Sequence, residues 1–243
     1  MRLKGQIVWI TGSAKRVGKV CALACAAEGA DIVVHCRSSR KEGEEALREV
    51  EALGRRAMLV QGDHASAEDV PRMVEEIRAH FGALTALVNS AAAFPRARFE
   101  DVSEEDFFSI VRTNLWGPYL CAQAALPLLR KARPGRLINV TDWAVARPYR
   151  FYSHYMAAKG GLDAVTRALA RELAPDVLVN AIAPGPVLEP PDLGDEEREK
   201  VLAKIPLRRW GRPEDVAKAL VFLLESDFIC GETIAVDGGR TVG

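Results

Sequence analysis

Ile7-Val8-Trp9-Ile10-Thr11-Gly12-Ser13-Ala14-Lys15-Arg16-Val17-Gly18 joins a short apolar run, a glycine-bearing turn and the start of an amphipathic stretch. The run reads as a buried strand, and helical spacing begins near Val17. A turn that feeds a helix N-terminus presents unpaired N–H groups and the positive end of the helix dipole, which together suit a pyrophosphate. Two glycines are weak support, because an ordinary strand-to-helix turn also uses them. The strand before, the helix after and the alternation beyond raise the reading above that.

Outward from this stretch the pattern repeats. Strand candidates lie at 6–11, 31–36, 57–61, 84–89, 136–141, 177–182 and 232–236, with helical spacing between them, as from Ala67 to Phe81. Ile32-Val33-Val34 and Ala86-Leu87-Val88 are unbroken apolar runs, as expected of parallel strands covered on both faces. The expectation is an α/β protein: a single doubly wound (Rossmann) domain over residues 1–243, with about seven parallel strands and helices on both faces. The pattern breaks once, from Pro184-Gly185-Pro186 through Pro190-Pro191 to Gly194. A loop and helix at about 184–205 are expected there, serving as a substrate lid.

Composition excludes several function classes. Among 243 residues, 33 basic side chains balance 33 acidic ones, so no global field recruits nucleic acid or an anionic membrane. No run approaches the roughly 20 apolar residues of a membrane span. Met1 to Gly5 lead straight into a strand with no signal-peptide features, so a cytoplasmic location is expected. The five cysteines, at 21, 25, 36, 121 and 230, form no CxxC and read as small apolar fillers. Neither a disulfide nor a metal site is expected.

The ends of the next strands bear on the cofactor. A site for NAD places a carboxylate at the end of the second strand to accept the ribose 2′-OH, whereas NADP needs cations for the 2′-phosphate. Here that end reads His35-Cys36-Arg37-Ser38-Ser39-Arg40, without an acid, and Lys15 of the glycine turn can approach the same place. NADPH is therefore expected over NADH. Asp63, after the third strand, can meet an adenine amine or cap the next helix. Asn89-Ser90-Ala91-Ala92 ends the fourth strand with small residues that let the backbone approach a ligand.

Tyr155 and Lys159, at i and i+4, share one face of a helix. A nearby ammonium favours phenolate, so Lys159 is expected to lower the phenol from about 10 towards the range of a general acid. An incidental surface pair has the same spacing. The pair gains meaning only beside the N-terminal turn.

Taken together, these features resemble the short-chain dehydrogenase/reductase family over essentially the whole chain. The landmarks fall in order: Thr11 to Gly18, Asp63, Asn89 to Ala92, Asn114, Tyr155 to Lys159, Pro184-Gly185, and Val236-Asp237-Gly238-Gly239. The resemblance implies that Tyr155 is the proton donor, that Lys159 holds the nicotinamide ribose and tunes Tyr155, and that Asn114 fixes a relay water. It implies a dinucleotide site of Gly12, Lys15, Arg16, Val17, Gly18, His35, Arg37, Ser38, Asp63, Asn89, Tyr155, Lys159, Pro184 and Gly185. It also implies a homotetramer built on long helices at about 103–130 and 152–174.

Three departures narrow the substrate. Arg16 stands where the family's loop usually has glycine, Asn89-Ser90-Ala91-Ala92 replaces NNAG, and Asp142, 13 residues before Tyr155, replaces the usual serine. The loop arginine and the aspartate resemble the pteridine reductase branch, which reduces pterins, and in some members dihydrofolate, with NADPH. In that branch Phe94 would stack on the pterin and Arg16 would reach pyrophosphate and substrate. A carboxylate beside a nascent alkoxide repels it, whereas a ring N–H can donate to it. A pterin or dihydrofolate C=N bond is thus the expected substrate. A 3-oxoacyl thioester reductase with Thr141 in the serine's place, and a non-catalytic dinucleotide sensor, are the alternatives.

Overall fold

The computed structural model describes residues 1–189 and 194–243. Pro190 to Leu193, in the middle of the expected lid, lie outside the described residues. Seven strands form one parallel sheet: β1 (Ile7–Ile10), β2 (Asp31–Cys36), β3 (Ala57–Gln61), β4 (Ala86–Asn89), β5 (Gly135–Val140), β6 (Val177–Pro184) and β7 (Thr233–Val236). Their order is β3-β2-β1-β4-β5-β6-β7, with every neighbouring pair parallel. The order reverses between β1 and β4, and ligands of such sheets bind beyond the strand C-termini at that crevice.

Side-chain alternation along β1 divides the core. Val8 and Ile10 join Cys21, Cys25 and Ala26 of α1 (Arg16–Ala27), Val50 of α2 (Arg40–Ala52), and Leu220 and Leu224 of α8 (Pro213–Glu225). Ile7 and Trp9 face the other way. They meet Met73 and Ile77 of α3 (Asp69–Phe81), Leu128 and Leu129 of α5 (Gly117–Ala132), and Leu173 of α6 (Ser153–Leu173). Cys21, Cys25, Cys36 and Cys121 are buried fillers, and burial pushes the Cys21 thiol up to about 12. No helix among the described residues is long and apolar enough to cross a membrane.

One expected helix is interrupted. The stretch read as continuous at about 103–130 is α4 (Glu104–Val111), a π-turn over Arg112–Trp116, and α5. Ser103 and Asp106 close a reciprocal capping box at the start of α4. The break follows from Asn114. Its side-chain Nδ2 donates to the Ile110 carbonyl at 3.1 Å, taking an acceptor that the helix backbone would otherwise use. The Gly117 N–H then reaches back five residues to Arg112. Beyond β6, α7 (Asp195–Ala203) occupies the expected lid region.

Candidate active site

The glycine turn is built by close approach. Gly12 has φ +68°, and a Cβ there would stand 2.9 Å from the Ala91 Cα; a Cβ on Gly18 would stand 2.4 Å from the Gly12 carbonyl. No side chain caps the N-terminus of α1, so its first-turn N–H donors are left for a ligand. Thr11 Oγ1 accepts from Ser90 and Ala91 N–H at 3.0 and 3.1 Å, holding the end of β4 against the turn.

His35 does not face a phosphate. Its Nδ1 accepts from the Gly12 N–H at 2.9 Å and its Nε2 pairs with the Gly62 carbonyl at 3.1 Å, so the ring braces the turn from beneath. The two bonds require one neutral tautomer, and burial lowers the imidazolium to about 4. Because the folded value lies below the ordinary 6.5, this stability is complete above pH 6.5 and is lost as pH falls towards 4, by up to about 3 kcal/mol. Urea midpoints compared at pH 7.5 and 4.5 should fall more for the parent than for His35→Gln, whose side chain does not titrate. Equal falls exclude the brace as the source.

Arg16 adopts φ +53°. That backbone region costs a side-chain-bearing residue about 1–2 kcal/mol, and the fold supplies no hydrogen bond or ion pair to the guanidinium among the described residues. Arg16→Gly should therefore raise stability by about 1 kcal/mol, read as a higher Tm, while weakening dinucleotide binding in a fluorescence titration. A lower Tm would mean that the strain is absent.

The cations proposed for a 2′-phosphate have acidic neighbours that strand-end reading does not show. Lys15 Nζ lies 2.6 Å from Glu42 and Arg37 lies 3.6 Å from Asp63. Both pairs are exposed, and such pairs contribute little, so they can yield to a phosphate. Ser38 is exposed beside Arg37. Asp63 does not cap α3: Ser66 Oγ accepts from the Asp69 N–H there, while Asp63 Oδ1 accepts from Ala65.

The chemical centre lies at the C-terminal end of β5. Tyr155 Oη donates to Asp142 Oδ2 at 2.9 Å, and Asp142 Oδ1 is held by the Ala144 N–H. Lys159 is buried and donates to the Val140 carbonyl at 2.7 Å. Thr141 Oγ1 donates instead to the Ile182 carbonyl at 3.1 Å, away from the phenol. Asp142, not Thr141, is therefore the neighbour of Tyr155. Asn114 is fully buried, with Nδ2 donating to the Ala93 carbonyl and Oδ1 accepting from the Ala93 N–H. Asn89 donates to Asn139, which donates to Thr166, so its side chain is internal scaffolding rather than a ligand group.

The expected effect of Lys159 on the phenol is reversed. Burial and the adjoining Asp142 carboxylate hold Tyr155 well above the usual phenol range. Burial also raises Asp142 and lowers Lys159 to about 8, the latter opposed by Asp142. Burial sets the sign, and with Lys159 turned to Val140 the Asp142 carboxylate adds to it in the same direction.

Phe94 is half exposed, stacked on Tyr152 at 4.2 Å and edge-on to Tyr155 at 4.7 Å. Tyr149 and Trp143 extend this wall. Pro184 ends β6, and a Cβ on Gly185 would stand 2.6 Å from the Asp237 Cα, so β7 presses against this end of the site. Sequence reading missed His64: its Nε2 pairs with the Thr113 carbonyl of the π-turn at 2.9 Å. A Cβ at Gly117 would strike its ring. The signal for it was a lone histidine just past the end of the third strand, next to Asp63.

A family model described as enoyl-(acyl carrier protein) reductase matches residues 12–241. The chain belongs to the short-chain dehydrogenase/reductase family. Within that oxidoreductase family it is 34% identical over 237 residues to 3-oxoacyl-(acyl-carrier-protein) reductase FabG of Staphylococcus aureus, covering 95% of this chain and 96% of that one. It is 32% identical to the protein of the same name from Thermotoga maritima, over the full length of both. A crystal structure assigned to the short-chain alcohol dehydrogenases, from Sinorhizobium meliloti, superposes with a TM-score of 0.92 at 34% identity, covering 98% of this chain and 96% of that one. These relatives carry the names 3-oxoacyl-(acyl-carrier-protein) reductase and short-chain alcohol dehydrogenase. The pteridine branch that the loop arginine and Asp142 resemble finds no support in them.

Proposed function

We propose that this family member is an NADPH-dependent reductase in which Tyr155 supplies the proton that accompanies hydride transfer. The observation that carries the reading is the convergence of Tyr155, Asp142 and Lys159 at one strand end, across the crevice from the uncapped turn of α1. Gly12, Gly18 and the α1 N-terminus fit a pyrophosphate, and Arg37 and Lys15 fit a 2′-phosphate. NADPH, when bound, supplies the hydride. Tyr155 then protonates the reduced substrate atom, Lys159 binds the ribose and shields the growing phenolate, and Asn114 holds the loop at Ala93 in register. The α7 region covers the site as a lid.

A 3-oxoacyl thioester is the first substrate class, since it is what the relatives' names describe. A pterin or dihydrofolate C=N bond is the second, and Asp142 favours it. In the first, Asp142 stands beside Tyr155 in the place that serine has elsewhere, and its charge opposes the nascent alkoxide; in the second, its anion accepts from a ring N–H and Phe94 stacks on the ring. NADPH oxidation with acetoacetyl thioester, dihydrobiopterin and dihydrofolate side by side decides the class, and no turnover of any of them defeats both readings. Cofactor choice has its own test. The parent should bind NADPH at least about tenfold more tightly than NADH, and Arg37→Asp should abolish or reverse that difference. Equal affinities in the parent overturn the assignment.

A further inference from the structure

Beside the aromatic wall lies a second cavity of about 550 Å³, lined by Arg96, Ala97, Arg98, Asp101 and Phe151. Phe151 is held at φ +70°, and its carbonyl accepts from the Ala97 N–H at 3.0 Å, joining the loop after β4 to the loop before α6. Backbone held in that region persists only where surrounding contacts enforce it, and such outliers cluster at ligand sites. Here the strained residue presents its ring to two guanidinium groups: Arg96 at 4.9 Å and Arg150 at 5.2 Å from the ring centroid.

Stacking on a ring uses the face of a guanidinium and leaves its N–H edge free to grip two oxygens of one anion. Arg98 is neutralised by Glu100 at 3.2 Å. Arg96 and Arg150 have no carboxylate partner among the described residues, and Asp101 pairs with neither. The segment that carries Phe151 runs straight into the aromatic wall: Phe151 adjoins Tyr152, which stacks on Phe94, which touches Tyr155. We infer that Arg96 and Arg150 form an anion subsite that receives the carboxylate or phosphate tail of a substrate whose reactive head lies at Tyr155. The inference rests on the proposed reductase reading for the position of the head. Guanidinium groups held over a ring have less conformational freedom to lose on binding than free ones.

The test compares tailed with tail-less substrates. Dihydrofolate, which carries a glutamate, is set against dihydrobiopterin; acetoacetyl coenzyme A, which carries phosphates, is set against the neutral acetoacetyl thioester of N-acetylcysteamine. In Arg96→Gln/Arg150→Gln, the KM advantage of the tailed member over its partner should shrink tenfold or more in the pair that the enzyme uses. The pair affected identifies carboxylate or phosphate as the tail. An unchanged ratio overturns the subsite. A second readout is independent of turnover: inorganic phosphate titrated into the parent should shift the side-chain Nε–H resonances of Arg96 and Arg150 with saturation, each assigned with the single Gln variant. Flat resonances overturn the subsite even if a substrate is reduced. Saturating shifts without turnover of any substrate keep the subsite and defeat the reductase reading.

Discussion

Tyr155→Phe should lower turnover by about 100-fold or more while leaving NADPH binding close to the parent's, because it removes the proton while the ring, Lys159 and the glycine turn remain. The geometry adds a second effect. Tyr155 Oη is one of the side-chain donors to the Asp142 carboxylate, so the variant leaves that buried group short of a hydrogen bond at a cost of about 1–3 kcal/mol. Rate and stability should fall together, and a single-turnover measurement with saturating NADPH separates them. Full turnover in the variant removes Tyr155 from the chemistry.

Asp142→Ser should divide the two substrate readings in opposite directions. A hydroxyl in place of the carboxylate removes the charge facing a nascent alkoxide, so acetoacetyl thioester reduction should rise, by up to about 100-fold if the carboxylate is ionised in the parent. Reduction of a pterin or dihydrofolate should instead fall by about 100-fold, since the acceptor for the ring N–H is lost. The pH profile carries a further sign. Burial holds the Tyr155 phenol up first, and the Asp142 charge holds it up further. Removing that charge therefore moves any phenol-dependent limb to lower pH. Unchanged rates on every substrate, with an unmoved profile, would show that Asp142 does not act on the reaction.

The readable parts of this molecule were those written in local spacing. Unbroken apolar runs mark β1 and the middle of β2 and of β4, because strands buried on both faces need no polar side. Tyr155 and Lys159 are one helical turn apart, and Asp142 stands just past the strand before them, so counting residues brings the three together. The features that escaped are made by neighbours distant in sequence. The absence of an acid after β2 pointed to cations alone, yet Glu42 and Asp63 fold back onto Lys15 and Arg37. His35 looked like a phosphate contact because it ends a strand beside Arg37, but the Gly12 N–H and Gly62 carbonyl that claim its ring arrive from β1 and β3. The aromatic wall did leave a signal, in the spacing Tyr149, Tyr152, Tyr155 with Phe94 apart.

The π-turn at Arg112–Trp116 amounts to one residue more than a regular helix needs. Deleting a single residue there would let α4 run smoothly into α5, and the local hydrogen bonding would improve. Yet the extra residue is taken up inside one widened turn, so the rest of α5 keeps its phase and Cys121, Ala125 and Leu129 would still face the sheet after the deletion. What would go is the bulge itself, where the Thr113 carbonyl meets His64 and Asn114 reaches Ala93. The surplus residue thus sets the aim of a single turn rather than the course of a helix, and losing it should disturb the site while leaving the core packing of α5 in place.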